Sequence, residues 1–428
     1  MPRYRLTATP LDPITQRKSR QSQVSAGLTS ISGTTLRGAL AKEFIDLYGD
    51  GDARFGELFL DEDATRFGTL TPWPRSIPLT ATSCKRFPGF ADDQPRGHGV
   101  IDQLWMRVAE QVSGGPLSAA QLDLWLYCQS PLEAGGRCGA AMKPFSGGWQ
   151  WDEDSSTATT HKKPAALVNA HVGIDRATGT ASPSIFYTLC AIDAPQQAWL
   201  GYVDATPHSR TQLDELLQRS HGRIRVGHAK TRGYGRIQLQ LDEQADDNSA
   251  NDQTAAWTRW SDSLRQFLGQ TLAPKQTQAY ENCTFFSLTF PAGAIFVDSF
   301  LRYSLDPATT TTWLPGLREV DAETLWRNLE SLPEAMLTNV TAVTRHELVR
   351  GWNAAHGLPR QDDYAVAAGA VYVYAYRGDP AWLWAQLQAI QTSAIGLRRN
   401  EGFGQVLVCD PFHQLFAPTT FVSTEIPA

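Results

Sequence analysis

Two stretches of this chain hold the residue types from which an anion grip is made. One reads Gly227-His-Ala-Lys-Thr-Arg-Gly-Tyr-Gly-Arg-Ile-Gln-Leu-Gln-Leu241, the other Gly396-Leu-Arg-Arg-Asn-Glu-Gly-Phe-Gly-Gln-Val-Leu-Val-Cys-Asp410. Each has a glycine, five residues, a glycine-aromatic-glycine triplet, one polar residue and a short apolar-rich strand. Gly227, Gly233 and Gly235, like Gly396, Gly402 and Gly404, permit positive φ and close backbone approach. Lys230, Arg232, Arg398 and Arg399 supply charge for phosphate, His228 adds a polar ring, and Tyr234 and Phe403 offer flat faces. Together they spell a loop that grips a polyanion carrying bases.

A dinucleotide-binding glycine loop follows a strand and opens a helix. Here the order is helix, glycine loop, strand, which argues against that chemistry. Two solvated glycine turns would be the plainer reading of either copy alone. Recurrence at matching places in both halves of the chain argues for a shared purpose.

The elements that must position these loops follow from the rest of the chain. Its 428 residues suggest two domains, or three. With 42% hydrophobic and 19% charged residues it can bury cores and is no disordered tail. A net charge of −6 argues against a coat of nucleic acid but leaves room for a local basic groove. Arg223, Arg225, Lys230, Arg232 and Arg236 gather around the first loop, and acids follow at Asp242, Glu243, Asp246 and Asp247. Six cysteines in so long a chain make no disulfide framework. No stretch is apolar enough to span a membrane, and no apolar run follows the opening Met-Pro-Arg-Tyr-Arg. The expected compartment is the cytoplasm.

Residues 4–11 alternate as an opening strand. Ser32 or Thr34 caps a helix whose buried stripe is Leu36, Leu40, Phe44 and Tyr48. Arg37 and Lys42 lie off that stripe, and Arg37 stands near the helix start, where phosphate is welcome. From Asp61 to about Lys163 the chain is irregular and rich in Gly, Pro and Trp. It holds Cys84, His98, Cys128 and Cys138, though no Cys-x-x-Cys pair. So long a run of weak periodicity calls for a staple, and one structural zinc on these four is the expected one. Ordinary core thiols with a surface histidine are the alternative. Cys190, Cys283 and Cys409 read as core residues.

Beyond the insertion, 171–181 reads as a loop, 184–192 and 199–203 as strands, 206–220 as a helix and 237–241 as a strand. Strand, helix, strands, helix, strand suggests a ferredoxin-like unit. A linker at 242–251 and a helix bearing Trp257, Trp260, Leu264 and Leu268 lead to the second half. There 284–290 and 294–303 look like a hairpin about Pro291-Ala-Gly293. Residues 321–332 and 380–391 read as helices, 351–360 as a loop, and 367–376 and 405–409 as strands. The expected fold is α+β: two ferredoxin-like (RNA-recognition-like) domains, 1–245 with an irregular insertion at about 61–165, and 246–428.

The paired glycine loops, Ile31-Ser-Gly-Thr-Thr-Leu-Arg-Gly-Ala-Leu40, Val172-Gly-Ile-Asp-Arg-Ala-Thr-Gly-Thr-Ala181 and Gly351-Trp-Asn together resemble the RAMP superfamily of CRISPR-associated proteins. The chain is most similar to the two-domain, 5′-handle-capping RAMP subunit of type III-D effector complexes, from residue 3 to about 413. The resemblance implies a place in a ribonucleoprotein complex, with the CRISPR RNA handle, the large polymerase-like subunit and the backbone RAMP subunits as partners. Target RNA would be met only indirectly. The positions that match are the helix around Arg37 and Lys42 and the two glycine loops. The implied RNA-binding set is therefore Arg37, Lys42, Gly227, His228, Lys230, Arg232, Gly233, Tyr234, Gly235, Arg398, Arg399, Gly402, Phe403 and Gly404.

Backbone RAMP subunits that cut RNA resemble one another in an acid between the first strand and first helix. Residues 14–31 here contain no Asp or Glu. Asp12, the nearest, sits beside Pro13 as a turn former. Cleavage without metal would need a general base near the 2′-hydroxyl, and His228 is best placed. His171 and His346 have no visible catalytic partner. No Gly-x-Ser-x-Gly, Walker or His-Glu-x-x-His pattern occurs. The sequence therefore favours a non-catalytic RNA-holding subunit with an empty catalytic set. A CRISPR-RNA-processing endoribonuclease and a protein-only scaffold are the alternatives.

Overall fold

A computed structural model of the chain describes residues 1–15, 30–132, 135–161, 163–193, 197–244, 250–297, 301–305, 337–353 and 357–418. The opening strand, Arg3–Pro10, turns Leu6 and Ala8 into a core and lies inside a five-stranded antiparallel sheet. Across that sheet the order is Arg223–Arg225, Arg236–Gln244, Arg3–Pro10, Trp199–Ala205, Thr65–Phe67. Apart from the short edge strand, these run fourth, first, third, second in chain order, as a ferredoxin-like unit does. The helix Gly33–Tyr48 begins where the Ser32 side chain accepts from the Thr35 N–H, and it buries Leu36, Leu40 and Phe44. The helix Pro207–Arg219 begins on Thr206 with proline in its first turn, and buries Leu213 and Leu216.

The second sheet repeats the order. Thr284–Thr289 lies between Leu407–Val408 and Val371–Tyr376, with Leu337–Val343 outside the latter. Asp379 caps the helix Pro380–Ser393, which follows Val371–Tyr376 in the chain. The helix expected at 321–332 lies outside the described residues. The fold is α+β with antiparallel sheets. One expected pairing is corrected. Thr284–Thr289 pairs with Val371–Tyr376 and with Leu407–Val408, so both its edges are taken and it forms no hairpin with the described residues of 294–303. Ala294 and Ile295 instead bridge to Val366 and Leu397.

The stretch 61–165 is more ordered than expected. Thr65–Phe67 is the missing second strand of the first sheet. Beyond it come short strands, among them Ala81–Cys84, Val100–Asp102 and Gly148–Asp152, and two helices, Leu104–Ser113 and Ala119–Leu126. Strands of three to five residues leave no period to read. The helix Leu104–Ser113 belongs by packing to the second half: the Trp105 ring lies 6.4 Å from Trp260 and 5.4 Å from Phe267. Beside it His413, fully buried, meets Asp102 Oδ2 at 2.8 Å through Nδ1 and Thr289 Oγ1 at 2.9 Å through Nε2. The stretches read as loops at 171–181 and 351–360 lie in hairpins, with 175–180 forming the turn of the first. Ala165–Ile174 pairs with Ala181–Asp193, and Trp352–Asn353 with Leu358–Pro359.

Candidate nucleic-acid interface

The two glycine loops are one structure drawn twice. Gly227 (φ 75°) matches Gly396 (φ 86°), and Ala229 matches Arg398, both left-handed at φ 59°. One 3-10 turn follows in each, Lys230–Arg232 and Arg399–Glu401, and each ends on a left-handed glycine, Gly233 or Gly402. The next glycine closes the loop: the Val226 N–H donates to Gly235 O at 2.8 Å, and Ile395 N–H to Gly404 O at 2.9 Å. Both glycines have positive φ, and a Cβ on either would stand 2.1 Å from Val226 O or 1.7 Å from Ile395 O. Only glycine fits there.

Their surroundings differ. In the first loop Thr231, Arg232 and Gly233 are exposed, and Lys230 is half-buried. Arg225, Lys230 and Arg232 enter no ion pair among the described residues. Arg225 donates to Lys230 O at 3.0 Å, and Arg232 lies over the Tyr187 ring and donates to its hydroxyl. Burial holds the Lys230 ammonium below its usual range, and the charges of Lys42 and Arg225 lower it further. That is a cation group lacking its anion. Lys42 pairs at the surface with Asp46. The flat face expected of Tyr234 is turned inward: the ring is 7% exposed and packs on Leu189 and Ala191. Its hydroxyl accepts from Asn169 Nδ2 at 2.8 Å. Tyr234 thus fastens the loop to the long hairpin and is no open stacking platform.

In the second loop Asn400, Glu401 and Gly402 are buried. Glu401 Oε1 accepts from Arg37 at 2.9 Å and from Arg360 at 2.7 Å, and Oε2 accepts from Arg398 and from Thr34 Oγ1 at 2.8 Å. Burial alone would raise the Glu401 carboxyl, but Arg398, Arg360 and Arg37 hold it at about 2. Arg398 also meets Asp363 at 2.5 Å, and Arg399 reaches Glu62 at 3.2 Å and Asp63 at 3.3 Å. Phe403 is half-buried, 5.0 Å from the Arg398 guanidinium. Arg37, Arg398 and Arg399, expected to face phosphate, are thus held by carboxylates, and this loop ties the second half to the first. Glu401, Arg360, Glu62 and Asp63 escaped sequence reasoning because the pairs are long-range. The one visible signal was Glu401 standing where the first loop has Arg232.

His228 is held by its backbone: its N–H donates to Thr15 O at 3.1 Å, and its carbonyl accepts from Thr15 Oγ1 at 2.6 Å. Asp12 is engaged by Arg236 at 2.6 and 2.9 Å.

The four metal-ligand candidates do meet. Cys84 ends the strand Ala81–Cys84, His98 precedes Val100–Asp102, Cys128 follows the helix Ala119–Leu126, and Cys138 lies in the next turn. Their donor atoms all lie within 4.8 Å of one another, a cluster able to hold a metal ion. Cys190, Cys283 and Cys409 are buried elsewhere.

Against known families, the RAMP superfamily matches residues 16–238, more than half of the chain. The chain belongs to the RAMP superfamily. A comparison with curated proteins finds no match. Among solved structures, this RAMP chain is similar to a chain of the type III-B Cmr-beta complex bound to cognate target RNA. The two are 10% identical, with 90% of this chain and 94% of that chain covered, at a TM-score of 0.41. A Cas6 product complex is 14% identical, over 58% of this chain and 82% of that one, at 0.30. Oligomeric Cmr4 from Pyrococcus furiosus is 13% identical, over 57% and 100%, at 0.25. Likenesses this loose say nothing of activity. Among the described residues no helix is long and apolar enough to cross a membrane.

Proposed function

We propose that this RAMP protein is a non-catalytic, RNA-holding subunit of a type III CRISPR effector complex in the cytoplasm. In this reading it is of the type III-D kind and binds the 5′ handle of the CRISPR RNA. It contacts the large polymerase-like subunit and the backbone RAMP subunits, and meets target RNA only through them. The division into domains 1–245 and 246–428 is part of the same reading. The observation that carries it is the first glycine loop, where Arg225, Lys230 and Arg232 gather without an ion pair among the described residues. A ribose-phosphate chain supplies the missing charge. Gly227, Gly233 and Gly235 let its backbone come close, and His228 lies in the same loop. The second loop, with Gly396, Gly402, Phe403 and Gly404, braces the molecule in this reading.

The test is RNA affinity against salt concentration for the complex and for Lys230→Ala with Arg232→Ala. Each phosphate contact on a single strand contributes about 0.7 to the slope of log K against log salt, so the double variant should flatten it by about 1.4. An unchanged slope would favour the protein-only scaffold. The RNA recovered from the wild-type assay should be intact; cleavage abolished by His228→Ala would favour the endoribonuclease.

A further inference from the structure

We propose that Cys84, His98, Cys128 and Cys138 form a closed, structural Zn2+ site inside the insertion. Thiolates bound at about 2.3 Å and an imidazole nitrogen at about 2.0–2.1 Å on a tetrahedral ion stand about 3.8 Å and about 3.6 Å apart. Here Cys84 Sγ lies 3.8 Å from Cys138 Sγ, and Cys128 Sγ lies 3.4 Å from His98 Nδ1. All four donor atoms lie within 4.8 Å of one another. Two edges of the tetrahedron are thus already present. Ordinary core thiols have no reason to converge with an imidazole from four separate segments at that spacing.

The donor set selects the ion. Three sulfurs and one nitrogen suit zinc; magnesium and calcium want oxygen, and no carboxylate belongs to the cluster. Four protein ligands leave no open position, so the ion is structural. On binding, the three thiols lose their protons to solvent and the thiolates and neutral imidazole take the metal. The backbone already holds the donors. Cys128 N–H donates to Ala140 O at 2.8 Å, Cys138 N–H to Ser130 O at 2.8 Å, and His98 N–H to Phe87 O at 2.9 Å. Ser130 Oγ donates to His98 O at 2.8 Å. The ion would join the end of Ala81–Cys84, the loop that ends at His98 and the segments at Cys128 and Cys138. None of this depends on the RNA-holding reading, and the test uses no RNA.

Full-length protein purified without chelator should carry about one zinc per chain by elemental analysis. Cys84→Ser and Cys128→Ser should each lose it, while Cys190→Ser, outside the cluster, should retain it. Should the ligand variants fail to fold, cobalt substitution of the wild type decides. A Co2+ form should show thiolate-to-metal charge-transfer absorption and the intense d–d bands of a tetrahedral site. Zinc below about a tenth of an equivalent, with no uptake of Zn2+ or Co2+ by the reduced protein, would overturn the proposal, as would iron in place of zinc or full zinc in Cys84→Ser.

Discussion

The first glycine loop and the second have the same backbone and opposite fates. In the first, the turn Lys230–Arg232 ends on an exposed arginine, and its cations enter no ion pair among the described residues. In the second, the matching position is Glu401, and arginines from three stretches of chain close over it. One exchange of sign separates an open clasp from an internal knot. A loop shape therefore does not specify its partner. The charge at one position decides whether the anion it wants comes from outside or is built in.

The largest effect should come from untying the knot. Glu401→Gln leaves the half-buried Arg37, Arg360 and Arg398 with less to answer them, and should cost about 3 kcal/mol by denaturant titration. The carboxyl is held at about 2 against an ordinary 4.5. Its folded pKa is lowered, so its contribution is complete above pH 4.5 and drains away as pH falls toward 2. The stability gap between wild type and Glu401→Gln should close over that window; a gap independent of pH would mean that the charge is not what holds the loops together.

Arg398→Ala with Arg399→Ala should cost about 2–3 kcal/mol and leave the salt slope of RNA binding as in the wild type. A flattened slope would erase the contrast between the loops. Arg232→Glu writes the sign of the second loop into the first. RNA affinity should drop roughly tenfold or more at low salt, while the unfolding midpoint moves by less than the equivalent of about 0.5 kcal/mol. If the variant instead unfolds, Arg232 is structural and the first loop is no more open than the second. The smallest effect is expected at Tyr234→Phe, which loses the Asn169 hydrogen bond for about 0.5–1.5 kcal/mol and spares RNA affinity. A large loss of affinity there would mean that the ring leaves its hairpin to meet a base.

The sequence shows the loops and their glycines because a backbone that needs φ > 0 writes itself in residue type. It shows the helices capped by Ser32 and Thr206 for the same local reason. It does not show that Arg399 is engaged, since its partners Glu62 and Asp63 are more than three hundred residues away. Nor does it show that Tyr234 is covered, since Leu189, Ala191 and Asn169 are more than forty residues away. Cys84, His98, Cys128 and Cys138 could be nominated by type, but their convergence rests on strands too short to leave a pattern. What was legible was local; what was not was a matter of who sits across the fold.

The helix Leu104–Ser113 carries a last consequence. Its packing partners Trp260 and Phe267 are made some 150 residues after it. At about 5–20 residues per second on a ribosome, that is a wait of roughly 8 to 30 s. Through that interval Trp105 has neither Trp260 nor Phe267 to pack against. A nascent chain stalled before residue 260 would leave Trp105 without its ring partners in the second half.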